Sequence, residues 1–232
     1  VDSRVADVRM RIINSDGSEA EMCGNGIRCF AKYVYDSGII EKKQFTVETP
    51  AGIMEPEITV GADNKAELIT INMGRPSFNR SEIPMEGTDG RVLNEDLCVD
   101  GENWKITSLL MGVPHTVTYV DDVDSVDIEK IGPLFEKHEA FPKHTNINFA
   151  QQMDDRTVKV RTWERGAGAT LACGTGSCSV AIASFLNGRT GREVDIQLPL
   201  GTLHIEYREE DGNVYMTGPA AVSFTGTWPD ET

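Results

Sequence analysis

Two short stretches of this chain set a cysteine against glycine at the head of a helix-compatible run. They are Met22-Cys23-Gly24-Asn25-Gly26 and Ala172-Cys173-Gly174-Thr175-Gly176. A cysteine at a helix N-terminus lies beside unpaired backbone N–H groups and the positive end of the helix dipole. Both favour thiolate over thiol, so each pKa is expected to fall and each sulfur to become a usable base. The glycines let the loop backbone approach a ligand and aim N–H groups at an anion such as a carboxylate. Two such thiols facing one substrate could take a proton from one face of a carbon and return one to the other.

The repeat extends beyond the motifs. Each helical run stops at a glycine fifteen residues after its cysteine, Gly38 and Gly188. Each half then carries a Pro-x-Gly step, Pro50-Ala51-Gly52 and Pro199-Leu200-Gly201, at offsets agreeing within one residue. One Cys-Gly-x-Gly alone is explained as well by a small buried cysteine at a helix start. Two copies at matched spacing favour a functional pair on two similar lobes. Cys29 and Cys178 fall inside the helices and do not align; with Cys98 they are expected in the core. Glu164-Arg165-Gly166 begins nine residues before Cys173, and Asn14 stands nine residues before Cys23. These are either solvated strand ends or a carboxylate and an amide that orient substrate, with Arg165 as a second anion clamp. His115, after Gly112-Val113-Pro114, reads equally as a site residue or a hydrogen-bonded turn histidine.

The elements that must position these groups are mostly strands. Helical spacing predicts helices over 24–36, 127–135 and 176–186. Strands are expected over 5–14, 44–49, 52–60, 67–73, 104–110, 115–120, 145–152, 157–164, 193–198, 202–208 and 213–217. The tail 221–228 reads as one more. Residues 74–96, rich in Pro, Gly, Ser and charge, read as the linker between halves. The expected fold class is α/β of the α+β type, because regular β-α-β-α alternation is absent.

Bulk properties narrow the partners. The 232 residues carry a net charge of −15, which argues against nucleic acid and anionic membranes. No apolar run could span a bilayer, and no secretory signal is present. Five cysteines, an odd number, point to a reducing compartment and therefore to the cytoplasm. No Cys-x-x-Cys, Gly-Lys-Ser/Thr or Gly-x-Gly-x-x-Gly occurs, so zinc, redox-motif and nucleotide readings are weak. The first residue is Val1, so the start is read as processed, trimmed or incomplete.

The motifs together resemble the diaminopimelate epimerase family. Asn14-x-Asp16-Gly17-Ser18-Glu19 leads to Met22-Cys23-Gly24-Asn25-Gly26-x-Arg28-Cys29. Met111-Gly112-x-Pro114-His115 and Thr145-Asn146-x-Asn148-Phe149 follow. Glu164-Arg165-Gly166 then leads to Thr170-x-Ala172-Cys173-Gly174-Thr175-Gly176, and Thr217-Gly218-Pro219-Ala220 comes near the end. The resemblance implies a cofactor-independent, metal-free isomerase that interconverts LL- and meso-diaminopimelate in lysine and peptidoglycan precursor biosynthesis. It implies Cys23 and Cys173 as the acid/bases, with His115 and Glu164 supporting them. Asn14, Gly24, Asn25, Asn146, Glu164, Arg165, Gly174 and Thr175 would contact substrate. It further implies two pseudo-symmetric lobes with the site in their cleft, and a homodimer. The first lobe would hold residues 1–74 and 219–232, the second 75–218. Val113 stands where the family often has a substrate-contacting asparagine, and the family's opening Gly-Asn-Asp-Phe strand has no counterpart. The first lobe is therefore expected to be incomplete at its N-terminus. A related amino-acid racemase, a truncated ligand-binding form and, more distantly, a thiol hydrolase remain as alternatives.

Overall fold

The structure is a computed structural model that describes residues 1–13, 17, 19 and 23–227. The chain divides into two compact units. One holds Val1–Met22, Gly26–Thr70 and Gly218–Thr232; the other holds Cys23–Asn25 and Ile71–Thr217. This is a mixed α+β protein with large sheets and few helices.

In the first unit, β1 (Val8–Arg9) pairs in parallel with the later β2 (Val47–Thr49). Helix α1 (Gly24–Asp36) follows β1 in the chain and buries Ile27, Ala31 and Val34, one stripe at helical spacing. Strand β3 (Gly52–Met54) returns antiparallel along β2, and β4 (Glu57–Val60) pairs antiparallel with β5 (Ala66–Asn72). Glu55-Pro56 separates β3 from β4, where one continuous strand was expected, because proline removes a ladder donor. Lys32 ties α1 to β5: its Nζ lies 2.8 Å from Asp36 and donates to the Ala66 carbonyl at 2.6 Å. The strand expected over 5–14 shrinks to β1 and a single bridge from Ile13 to Glu19.

The second unit holds β6 (Val92–Val99), β7 (Glu102–Met111), β8 (Val113–Tyr119), α2 (Ile128–Glu136), β9 (Asn146–Gln152) and β10 (Thr157–Glu164). It continues with β11 (Gly168–Thr170), α3 (Gly174–Leu186), β12 (Glu193–Leu198), β13 (Gly201–Tyr207) and, up to Thr217, β14 (Val214–Pro219). The strand order is β14-β13-β12-β10-β9-β8-β7-β6, with β11 hairpinned onto β10. Side chains alternate across this sheet. Ile147 and Phe149 join the apolar cluster under α2, where Trp104, Phe135 and Phe149 meet edge to face with centroids 5.4–6.1 Å apart. Asn146 and Asn148, which alternate with them along β9, are buried on the opposite face. Helix α3 is buried from Gly176 to Ser184 and packs against β7, β8, β10, β12 and β13.

Three expectations need correction. Residues 74–96 are no open linker: Ile83 is fully buried, Met85 and Val92 join the core, and β6 begins inside the segment. Its prolines and glycines make turns, while its few apolar residues still pack. Residues 221–227 form no strand, and Val222 and Phe224 are exposed. Cys29 and Cys98 are exposed, not core. Cys29 lies off the buried stripe of α1, and Cys98 alternates outward on β6, the strand at the end of its sheet.

Both cysteine helices end in the same way. Gly38 and Gly188 adopt φ of 70° and 67°. Ile39 N–H reaches the Val34 carbonyl and Gly38 N–H the Tyr35 carbonyl; Arg189 and Gly188 repeat the pattern onto Ser184 and Phe185. An L-residue with a Cβ costs roughly 1–2 kcal/mol in this left-handed region. Gly38→Ala and Gly188→Ala are each expected to lower unfolding stability by about 1 kcal/mol. Urea denaturation checks this; no change would mean the helix ends are not held by these glycines.

Candidate active site

Cys173 is the N-cap of α3. Its extended backbone turns the sulfur back over the first helical turn, and Gly176 N–H donates to Sγ at 3.4 Å. Glycine at 176 is a steric requirement: a Cβ there would stand 2.6 Å from Asn148 Oδ1 and 3.2 Å from the sulfur. The geometry expected from sequence is present, but its electrostatic consequence is reversed. Burial pushes the Cys173 thiol up to about 12. The Glu164 carboxylate adds to this, through its charge and by accepting a hydrogen bond from the thiol. Thr175 and the Gly176 N–H oppose the rise and lose. Cys173 therefore carries its proton near neutral pH, and the expectation of a lowered pKa is corrected for this residue.

A buried polar chain runs from Cys173 into the sheet. Thr175 Oγ1 is 3.5 Å from Sγ and 3.0 Å from His115 Nε2. His115 is wholly buried on β8, and that burial, helped by the Arg165 charge, lowers its pKa to about 3. It stays neutral across the physiological range, so it cannot trade protons as an ionising acid/base. Asn148 Nδ2 donates to the Thr116 carbonyl at 3.0 Å and faces His115 Nδ1 at 3.3 Å, while Asn148 Oδ1 accepts from Thr162 at 2.9 Å. This network assigns Nδ1 as the acceptor and leaves Nε2–H to donate to Thr175. The 3.4 Å approach of Asn146 Nδ2 to Nε2 is then a contact between two donors. Thr175, holding the His115 proton, keeps its own hydroxyl hydrogen for the sulfur.

The other predicted groups surround this chain. Asn146 is buried, and its Oδ1 accepts from Arg165 N–H at 2.7 Å. Glu164 is half-buried and accepts from Thr170 Oγ1 at 2.5 Å. Arg165 is exposed, its guanidinium donating to the Lys143 carbonyl at 2.8 Å. Val113 starts β8 and is half-buried. Asn14 lies outside the described residues.

The Cys23–Asn25 segment packs with the same unit. Cys23 is exposed immediately before α1. Cβ atoms on Gly24 and Gly174 would both meet Met216, at 2.9 and 3.2 Å, so the two Cys-Gly loops lie against one side chain. Asn25 Nδ2 donates to the Ala172 carbonyl at 3.3 Å, joining the loops directly. That bond fixes the amide orientation and leaves Asn25 Oδ1 buried without a partner among the described residues. A buried acceptor of this kind costs free energy until a donor reaches it.

In the sequence Asn148 stands out only as part of a motif, and Thr162 and Met216 do not stand out at all. The period-two pattern could have found Asn148, a polar residue between Ile147 and Phe149 on a buried strand; Thr162, between Arg161 and Trp163, carries no such mark. Nothing in the sequence marks Met216.

The diaminopimelate epimerase family model matches residues 1–79 and 107–223. A diaminopimelate epimerase of Heliobacterium modesticaldum is 50% identical over 97% of this chain and 80% of its own length. That of Pelotomaculum thermopropionicum is 51% identical over 98% and 80%. Among solved structures, a probable proline racemase from Agrobacterium radiobacter aligns with a TM-score of 0.67 at 16% identity, covering 100% of this chain and 76% of its own. A PhzF-family protein of Bacillus anthracis gives 0.63 at 18%, covering 94% and 79%. These two share the fold.

Glu164→Gln tests what holds the Cys173 proton. Removing the carboxylate charge removes a raising influence, so the thiol pKa falls and alkylation at Cys173 accelerates at pH 8–9. Site-resolved mass spectrometry of iodoacetamide labelling checks this. An unchanged or slower rate would contradict the electrostatic assignment.

Proposed function

This chain belongs to the diaminopimelate epimerase family, and we propose that its two Cys-Gly loops supply the opposed acid/bases of the reaction. It is an isomerase of the amino-acid racemase and epimerase type, working on diaminopimelate without a cofactor. The observation that carries the reading is the meeting of the two loops, through Asn25 and against Met216, beside a thiol that keeps its proton.

In one direction Cys23, as thiolate, takes the α-proton, and the Cα–H electron pair passes into the substrate carboxylate. That pair returns to the carbon as Cys173 delivers its proton to the opposite face, forming the new Cα–H bond and leaving Cys173 as thiolate. The sulfurs exchange roles in the reverse direction. The α-carbon of an amino acid is a weak acid, so the site must stabilise charge developing on the carboxylate. Backbone N–H groups of the Gly24 and Gly174 loops are suited to that task. Asn25 Oδ1, without a partner among the described residues, suits a donor such as the substrate ammonium. Thr175, backed by His115, offers its hydroxyl to the Cys173 sulfur when that sulfur becomes negative. His115 is thus a positioning residue, while Glu164 and Arg165 take the substrate's polar groups and Asn146 holds the Arg165 backbone. We read the working form as a cytoplasmic homodimer; sedimentation should return twice the chain mass, and the mass of a single chain would refute that part.

Cys23→Ala and Cys173→Ala are each expected to lower epimerisation of meso-diaminopimelate at least a thousandfold, with the fold retained by circular dichroism. Substantial epimerisation in either variant would sink the two-thiol scheme. Turnover of proline or another single-centre amino acid in place of diaminopimelate would move the chain to a related racemase activity.

A further inference from the structure

Glu136 is buried at the end of α2, and no step of the proton transfer uses it. A carboxylate withdrawn from water needs hydrogen bonds. Trp163 Nε1–H donates to one oxygen at 2.7 Å and Gly166 N–H to the other at 3.3 Å; His144 Nδ1 lies 3.6 Å away. One helical turn earlier, a Cβ on Gly132 would come within 2.6 Å of the Trp163 ring. Helix α2 therefore offers bare backbone where the indole lies and, four residues on, a carboxylate for its N–H.

The consequence reaches across the sheet. Trp163 and Glu164 are successive residues of β10, so their side chains point to opposite faces. Trp163 packs on the α2 face, and Glu164 shares the face of Thr162 and Asn148. Beyond them, the Arg165 N–H is bound by Asn146 and the Gly166 N–H by Glu136. Residues 163–166 are thus pinned from both sides of the sheet.

We propose that Glu136, acting through Trp163 and Gly166 over Gly132, is a positioning residue that holds the Glu164 carboxylate against the Cys173 thiol. The proposal rests on the reading of Cys173 as a proton donor. It explains why the residue is a carboxylate: both partners are donors, and only a carboxylate accepts from both. Glutamine in its place accepts one and sets its own N–H₂ against the other.

The test uses Glu136→Gln and Trp163→Phe in the full chain. Phenylalanine removes only the indole and its N–H, so it stands in if the first variant fails to fold. Three quantities are measured: the pH profile of Cys173 alkylation by mass spectrometry, kcat and KM for diaminopimelate, and the thermal midpoint. Release of Glu164 should move the alkylation profile to lower pH; a profile displaced by a whole pH unit corresponds to about tenfold more thiolate at a fixed pH. In the same variants kcat should fall at least tenfold. Folded variants whose Cys173 profile matches wild type overturn the positioning role, whatever their turnover. A wild-type chain that leaves diaminopimelate unchanged, while the variant profiles still move, overturns the substrate reading and leaves the positioning role standing.

Discussion

A thiol kept protonated by burial sets the demands that the rest of the second unit meets. Water would solvate a Cys173 thiolate; the interior does not, and the Glu164 carboxylate raises the cost of negative charge further. A proton held that firmly can be given up only where the site compensates the charge left behind. The compensation is local and already in place: the Gly176 N–H at 3.4 Å, the Thr175 hydroxyl at 3.5 Å, and behind Thr175 a neutral imidazole. Helix N-terminus and burial thus pull in opposite directions on one sulfur. In the resting protein burial wins.

The buried polar chain explains much of the surrounding sequence. Asn148 needs Thr162 and the Thr116 carbonyl to orient its amide, and that amide orients His115. Gly176 must be glycine because Asn148 occupies the space of its side chain. Each polar group is satisfied by the next, the condition under which a buried network stiffens a core. Cys23 offers a contrast. It is exposed, at the head of an amphipathic helix, while α3 behind Cys173 is buried nearly all round. The two motifs look alike in sequence and sit in opposite environments.

The motifs and their helices were legible in the sequence for a physical reason. The Cys-Gly starts and the Gly38 and Gly188 ends are local features, decided within a few residues. Alternation revealed most strands of the second unit. The failures were nonlocal. Residues 74–96 read as linker because turn-forming residues outnumber apolar ones, yet Ile83 alone goes fully under. The tail 221–227 has the pattern of a strand and forms none. The direction in which the Cys173 pKa moves depends on burial and on Glu164, neither of which the helix-start motif encodes. Met216 meets both loops from a distant strand, and no spacing could announce it.

The most direct test of the two-thiol account is the fate of hydrogen in the first turnover. The enzyme is mixed with LL-diaminopimelate in deuterated water, and isotope at the reacting α-carbon is read in product and in remaining substrate by NMR or mass spectrometry. Two opposed acid/bases predict that the first product carries deuterium while the unreacted substrate still carries hydrogen. Product that retains the substrate's own proton would mean that one group removes and returns it, and would contradict the account.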